Sequence, residues 1–178
     1  LYDTVEQHRA LAEGTGAEKY ITNDDYYFGY ETKAAFDADA FAWDVRKKNG
    51  ISFKVLNKDE FEKLDNIYKN KFEVVVANKN HGKISDPGAY IKKLAQHFEK
   101  NGGTFIKSSV TGLIENGRSL IGVKTDGEDI LADHIIFTLG PWSGDIAKQL
   151  GLSVPFESER GYHIELVNPS IMPKAPIM

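Results

Sequence analysis

Two dipeptides, Asn116-Gly117 and Asp126-Gly127, constrain this chain more than any other feature. Tight hairpin turns need positive φ at their central residues, and Asn-Gly and Asp-Gly satisfy that demand best. Between and around them lie Leu113-Ile114-Glu115, Leu120-Ile121-Gly122-Val123-Lys124 and Asp129-Ile130-Leu131-Ala132. The pattern predicts a three-stranded meander. It feeds His134-Ile135-Ile136-Phe137-Thr138-Leu139-Gly140, an almost unbroken apolar run of the kind buried on both faces of a parallel sheet.

A helix is expected just upstream. Asp86 offers a capping carboxylate and Pro87 sits at the first helical position, where its missing N–H costs nothing. Tyr90, Ile91, Leu94, Ala95 and Phe98 then form one apolar stripe, and Asn101-Gly102-Gly103 supplies the stop. Thr104-Phe105-Ile106-Lys107 reads as a strand. Beyond the apolar run, Ser143 is expected to cap a helix through Leu150, closed by Gly151. Val154-Pro155-Phe156 and Gly161-Tyr162-His163-Ile164-Glu165-Leu166 read as extended again.

The first 82 residues are looser. Residues 1–13 have helical spacing with Asp3 and Thr4 as caps, and Gly14 ends the stretch. Lys19 to Thr22 and Asp25 to Tyr30 read as two strands joined at Asn23-Asp24. Thr32 caps one helix running to Asn49-Gly50. Ile51 to Leu56 is a strand, Asn57 or Lys58 opens a short helix, and Phe72 to Ala77 is a β-branched strand. The resulting class is α/β, with α+β character in the first half.

Composition narrows the function. No apolar run approaches the roughly 20 residues that would span a bilayer. A net charge of -4 builds no basic stripe, which argues against nucleic acid as a partner. The absence of Cys removes disulfides, thiolate catalysis and sulfur-ligated zinc, and suits a reducing cytosol. His8, His81, His97, His134 and His163 share no metal-ligand spacing, so no metal site is expected. The chain opens on Leu1 rather than Met and stops in what reads as mid-loop at Met178, so it is read as an internal fragment.

Other constellations have plain readings. Gly14-Thr15-Gly16 lacks the preceding strand and following helix of a dinucleotide loop, and reads as a helix exit. Ser143 lacks the flanks of a nucleophile elbow. Asp24-Asp25 and Asp37 with Asp39 could pair carboxylates for acid–base work, against the simpler readings of a polar turn and a solvated helix face. Arg160-Gly161-Tyr162-His163 is the more suggestive cluster: a planar fork suited to a carboxylate, a glycine permitting close approach, and a hydroxyl on an aromatic wall.

Three ordered segments resemble the D-amino-acid oxidase superfamily of FAD-dependent oxidoreductases. They are Ile84 to Tyr90 with its helix and the Gly102-Gly103 exit, Val110 to Ile114 leading into Gly122 to Gly127, and Ala132 to Ser143 followed by Leu150-Gly151-Leu152, Val154-Pro155 and Arg160 to His163. The resemblance implies a partial FAD-binding domain (helix, strands and meander) joined to part of a mixed-sheet substrate domain. It assigns residues 1–82 to the substrate domain with a preceding helix, 83–151 to the returning part of the FAD-binding domain, and 152–178 to the start of a second substrate-domain segment.

The resemblance implies FAD contacts at Val110, Thr138, Leu139, Gly140 and Trp142, and substrate contacts at Arg160 and Tyr162. Leu139-Gly140-Pro141 departs from the small-residue run usual in the family. The implied chemistry is hydride transfer from the α-carbon of a D-amino acid or related small amine to flavin, giving an imino acid that water hydrolyses to a keto acid and ammonia. Glycine oxidase, sarcosine oxidase and glycerol-3-phosphate dehydrogenase are alternatives within the group, and a non-catalytic binding module is the alternative outside it. The expected location is the cytoplasm, peripheral to the inner membrane where a dehydrogenase passes electrons to a membrane acceptor. The fragment alone is expected to be inactive, to hold FAD weakly or not at all, and to self-associate through exposed sheet edges.

Overall fold

A computed structural model describes residues 3–117 and 119–178; Leu1, Tyr2 and Arg118 lie outside the described residues. The chain divides into two compact units, one formed by residues up to 104 with 167–178, the other by 105–166.

The first unit is built on a three-stranded antiparallel sheet. Its strands are β1 (Ile21–Tyr30), β2 (Phe53–Asn57) and β3 (Val74–Ile84), in the order β1-β3-β2. The two expected strands at 19–30 are one strand, because Asn23 and Asp24 pair with Gly82 and His81 instead of turning. The register shifts between Asp24 and Tyr26, where Asn80 on β3 takes φ 61°. An extra residue bulges out there, and Asn tolerates the left-handed conformation better than most side chains. β3 runs past Ala77 to Ile84 for the same reason: a long partner extends it.

Helices cover both faces of this sheet. The helix expected from Thr32 to Asn49 is two, α2 (Lys33–Ala38) and α3 (Ala40–Lys48), broken at Asp39. Thr32 caps the first as expected, its hydroxyl accepting from Ala35 N–H at 3.2 Å. The break lets Asp39 accept a 2.6 Å hydrogen bond from the Tyr30 hydroxyl, which a continuous helix would not require. On the opposite face, α4 (Lys58–Leu64) starts at Asn57 with a reciprocal capping box to Glu60. It drives Phe61, 1% exposed, into a cluster with Tyr27, Leu56, Val75, Ala77 and Ala175. Phe72 lies flat over Gly29, where any Cβ would strike its ring.

The last residues of the chain belong to this core. Ile177 bridges Tyr27 in parallel, with Tyr27 N–H donating to Pro176 O at 2.9 Å and Met178 N–H to Tyr27 O at 3.0 Å. Buried Asp65 accepts from Lys174 N–H at 2.7 Å and from Ile67 N–H at 3.3 Å, one on each carboxylate oxygen. A second, smaller core joins α1 (Thr4–Ala12) to α5 (Pro87–Lys100) through Ala12, Ala17, Ile21 and Tyr90. Asp86 caps α5 as expected, accepting from Ala89 N–H at 2.8 Å. Gly14 and Gly16, both at positive φ, form the exit from α1.

The second unit holds the meander: β4 (Val110–Asn116), β5 (Ser119–Thr125) and β6 (Ile130–Leu131), in the order β4-β5-β6. Asn116 is still paired, opposite Ser119, and Gly117 takes φ 64°, so the first turn begins one residue later than Asn-Gly implies. The second turn closes differently. Gly127 does not adopt positive φ; Thr125 Oγ1 accepts from Gly127 N–H at 2.9 Å and donates to Glu128 O at 2.8 Å.

Four expected strands do not form. Residues 104–107, 134–140, 154–156 and 161–166 have no strand partner among the described residues. An apolar extended run becomes a strand only when a neighbour satisfies its N–H and C=O groups, and Ile136 is 85% exposed. Ser143 is the first residue of α6 (Ser143–Gln149) rather than its cap. Trp142 stands at the cap position with no side-chain bond. The α/β class is as expected, while both three-stranded sheets are antiparallel rather than parallel or mixed. Among the described residues no helix is long and apolar enough to cross a membrane.

Candidate functional site

The residues that the resemblance assigns to cofactor and substrate all lie in the second unit. Val110 opens β4 opposite Thr125, with its side chain 47% exposed. β4 is the outer strand of the meander, so one row of its N–H and C=O groups faces away from β5. The register shifts again between Val110 and Gly112, leaving Thr111 as the odd residue.

The loop before Val110 is tied to the far hairpin by Asp126. Its Oδ1 accepts from the Ser108 hydroxyl and from Ser109 N–H at 3.1 Å, while its own N–H donates to Ser109 O at 3.0 Å. The Ser108 hydroxyl first, and then the Ser109 N–H, hold this carboxyl below its ordinary range by stabilising the charged form.

Thr138, Leu139, Gly140 and Trp142 fall around one 3-10 turn. Gly140 opens it at φ 55°, and Trp142 N–H donates to Leu139 O at 3.2 Å. A Cβ at Gly140 would meet nothing within 4 Å, and the Trp142 indole is 73% exposed. Arg160 and Tyr162 stand on an extended stretch without secondary structure, Tyr162 being 87% exposed. The fold therefore brings Leu139, Gly140 and Trp142 together. Among the described residues no hydrogen bond or ion pair joins them to Val110, or either group to Arg160 and Tyr162.

The candidate carboxylate pairs separate into structural ties. Asp24 binds Lys83 at 2.7 Å and Asp25 binds Lys79 at 2.5 Å, locking β1 to β3. Asp37 takes Lys33 while Asp39 takes Tyr30. Sequence reading missed a polar knot on this sheet. The Tyr30 hydroxyl donates to Asp39 and accepts from Trp43 Nε1 at 2.6 Å, and Arg46 stacks 4.5 Å above the Trp43 ring. Burial, then the hydrogen bond to Asp39, raise the Tyr30 phenol above its ordinary value. The only sequence signal for this knot was Trp43 and Arg46 one helical turn apart, which does not name Tyr30 as their partner. No group of His, Asp and Glu among the described residues has the arrangement of a metal site.

Two of these positions have backbone suited to a flat, polar-edged ligand such as FAD. An edge strand offers fixed main-chain donors and acceptors to a base edge, and a half-exposed β-branched side chain can pack on the ring. The open space beside Gly140 leaves its backbone free to meet a flat ligand. Within the 178 residues there is no glycine-rich strand–loop–helix for a pyrophosphate.

Comparison with known proteins shows the family. The sequence profile of the DAO family, FAD dependent oxidoreductases, matches residues 2–177. D-amino-acid oxidase of Bradyrhizobium diazoefficiens is 32% identical over 178 residues, covering 100% of this chain and 42% of that protein. D-amino acid dehydrogenase of Agrobacterium fabrum is 28% identical over 159 residues, covering 87% and 38%. In fold, the crystal structure of glycine oxidase from Bacillus cereus superposes with a TM-score of 0.71 at 16% identity, covering 83% of this chain and 43% of that one. The chain thus spans less than half the length of these relatives. It belongs to the DAO family of FAD-dependent oxidoreductases.

Proposed function

We propose that the chain is the middle portion of a flavoenzyme that oxidises a D-amino acid or a related small amine. The observation that carries this reading is the identity to a D-amino-acid oxidase along the whole chain. When bound, FAD supplies the acceptor for the hydride leaving the substrate α-carbon.

The chain's own residues bind and orient. Residues 83–151 are the returning part of the FAD-binding domain, with 1–82 and 152–178 in the substrate domain. Main-chain groups at Val110 hold the adenine edge, and the backbone of Thr138, Leu139 and Gly140 lies against the cofactor with Trp142 packed beside it. Arg160 grips the substrate carboxylate through its planar fork, and Tyr162 gives a hydroxyl and a wall that fix the α-carbon's orientation. Holding a reactant in place is the larger part of what these side chains contribute, since the cofactor performs the redox step.

By itself, the 178-residue chain has edges and apolar side chains uncovered, among them Ile136, Trp142 and Ile164. It is expected to self-associate, to hold FAD weakly and to be inactive.

The test is an assay of the full-length protein against paired D- and L-amino acids, glycine and sarcosine, with both oxygen and an artificial electron acceptor. Turnover of D-amino acids is expected, and Arg160→Ala should raise KM about a hundredfold by removing a charge-assisted contact worth roughly 3 kcal/mol. Turnover of L-enantiomers alone would sink the proposed substrate class. A purified full-length protein without flavin absorbance would sink the enzyme reading altogether.

A further inference from the structure

We propose that Asp126 is a positioning residue for the adenine end of the cofactor, setting where Val110 enters β4. The proposal rests on the reading of Val110 given above.

Asp126 sits in the β5–β6 turn, yet the turn does not use its side chain. Thr125 closes the turn alone, through Gly127 N–H and Glu128 O. The carboxylate points instead to the segment before β4, where Ser108 and Ser109 both donate to its Oδ1. The backbone adds a third tie from Asp126 N–H to Ser109 O. Residues 103–109 have no helix or strand of their own, and these bonds hold the end of that segment where it approaches Val110.

Register makes this placement consequential. The pairing steps from Val110 with Thr125 to Gly112 with Lys124, passing over Thr111. A one-residue slip reverses which face every side chain points to, and a bulge at the first rung is where such a slip starts. Beyond the bulge the β4–β5 ladder holds the strand. Before it, Val110 pairs with Thr125, and Asp126 ties down the segment ahead of that pair. Bonds to an ionised acceptor are the stronger kind, and these converge on one oxygen. Asp126 therefore governs the position of Val110 rather than the existence of the meander.

The experiment uses the full-length protein stripped of flavin, with FAD and FMN binding followed by flavin fluorescence. FMN lacks the adenosine half, so it reports on the rest of the site. Asp126→Ala is expected to weaken FAD about tenfold, the effect of losing one to two modest hydrogen bonds, and to leave FMN unchanged. Asp126→Asn keeps the accepting oxygen and should restore FAD affinity to within about twofold. Ser108→Ala removes one of the two donors and should fall between.

Equal weakening of FAD and FMN by Asp126→Ala would overturn the proposal, since it marks general loosening. Unchanged FAD binding in Asp126→Ala, alongside weakened binding in Val110→Asp, would overturn it while sparing the reading of Val110. Unchanged binding in Val110→Asp would end both. If Asp126→Ala does not fold, Ser108→Ala decides: an FAD-selective loss supports the proposal and no loss overturns it.

Discussion

The two sheets of this chain have three strands each and opposite surroundings. In β1-β3-β2, the buried neighbours Val75 and Val76 face opposite sides: Val75 clusters with Phe61 of α4 and Ala175, while Trp43 of α3 packs on Phe28, the cross-strand partner of Val76. In β4-β5-β6, Gly122 is the one buried residue among the described strand positions, and the apolar segments that follow lie open. Local chemistry formed both sets of strands. In the first, α3 and α4 pack against the two faces. A hairpin needs a turn and a ladder, whereas a core needs a second layer.

The largest test of that contrast compares two apolar truncations. Phe61→Ala should cost about 4 kcal/mol, because it opens a cavity beneath Tyr27 and Val75. Ile136→Ala should change stability by less than about 0.5 kcal/mol at its exposed position. Urea unfolding measures both, and similar costs would show that the second unit buries Ile136 after all.

A middle-sized effect is expected at Asp65. Asp65→Asn keeps the volume but only one accepting oxygen, so either Lys174 or Ile67 N–H loses its partner, at about 2 kcal/mol. Hydrogen exchange should then speed up at the Gly29 and Met178 amides, which depend on the docked end segment. Unchanged exchange there would show that the bridge to Tyr27 holds without this carboxylate.

The smallest effect is one of pH. Asp126 is held below the ordinary aspartate value of 3.8 by the Ser108 hydroxyl and the Ser109 N–H. A carboxyl with a depressed folded value stabilises the fold at neutral pH, and that contribution disappears as pH falls through the depressed value. Ser109 amide exchange should therefore quicken only below pH 3.8, with the Val75 amide as an unmoved reference. Quickening already at pH 5 would contradict the tie.

Much of the molecule was legible in the residues. The Asp86-Pro87 start of α5, the opening of α4 at Asn57 or Lys58 and the order of the meander strands came from caps, turns and periodicity, which act over a few positions. Misreadings occurred where a distant partner outweighed the local signal. Asn23-Asp24 looked like a turn because its partner, Gly82 with His81, lies far along the chain. The break at Asp39 is set by Tyr30 on another element. The candidate site followed the same rule. The family motif marked Val110 and the 138–142 turn, but nothing in it marked Asp126 as more than a turn residue, since Ser108 meets it only across the meander.

Sequence alone determined the class, the capped starts of α4 and α5, the two hairpins and the family membership, because those depend on spacing along the chain. Tertiary structure decided which apolar runs became strands, which carboxylates were ties rather than pairs, and what holds Val110 in register. Each of those is settled by groups that are neighbours only after folding: a backbone N–H or a charge has no fixed preference until something is placed beside it to accept or oppose it.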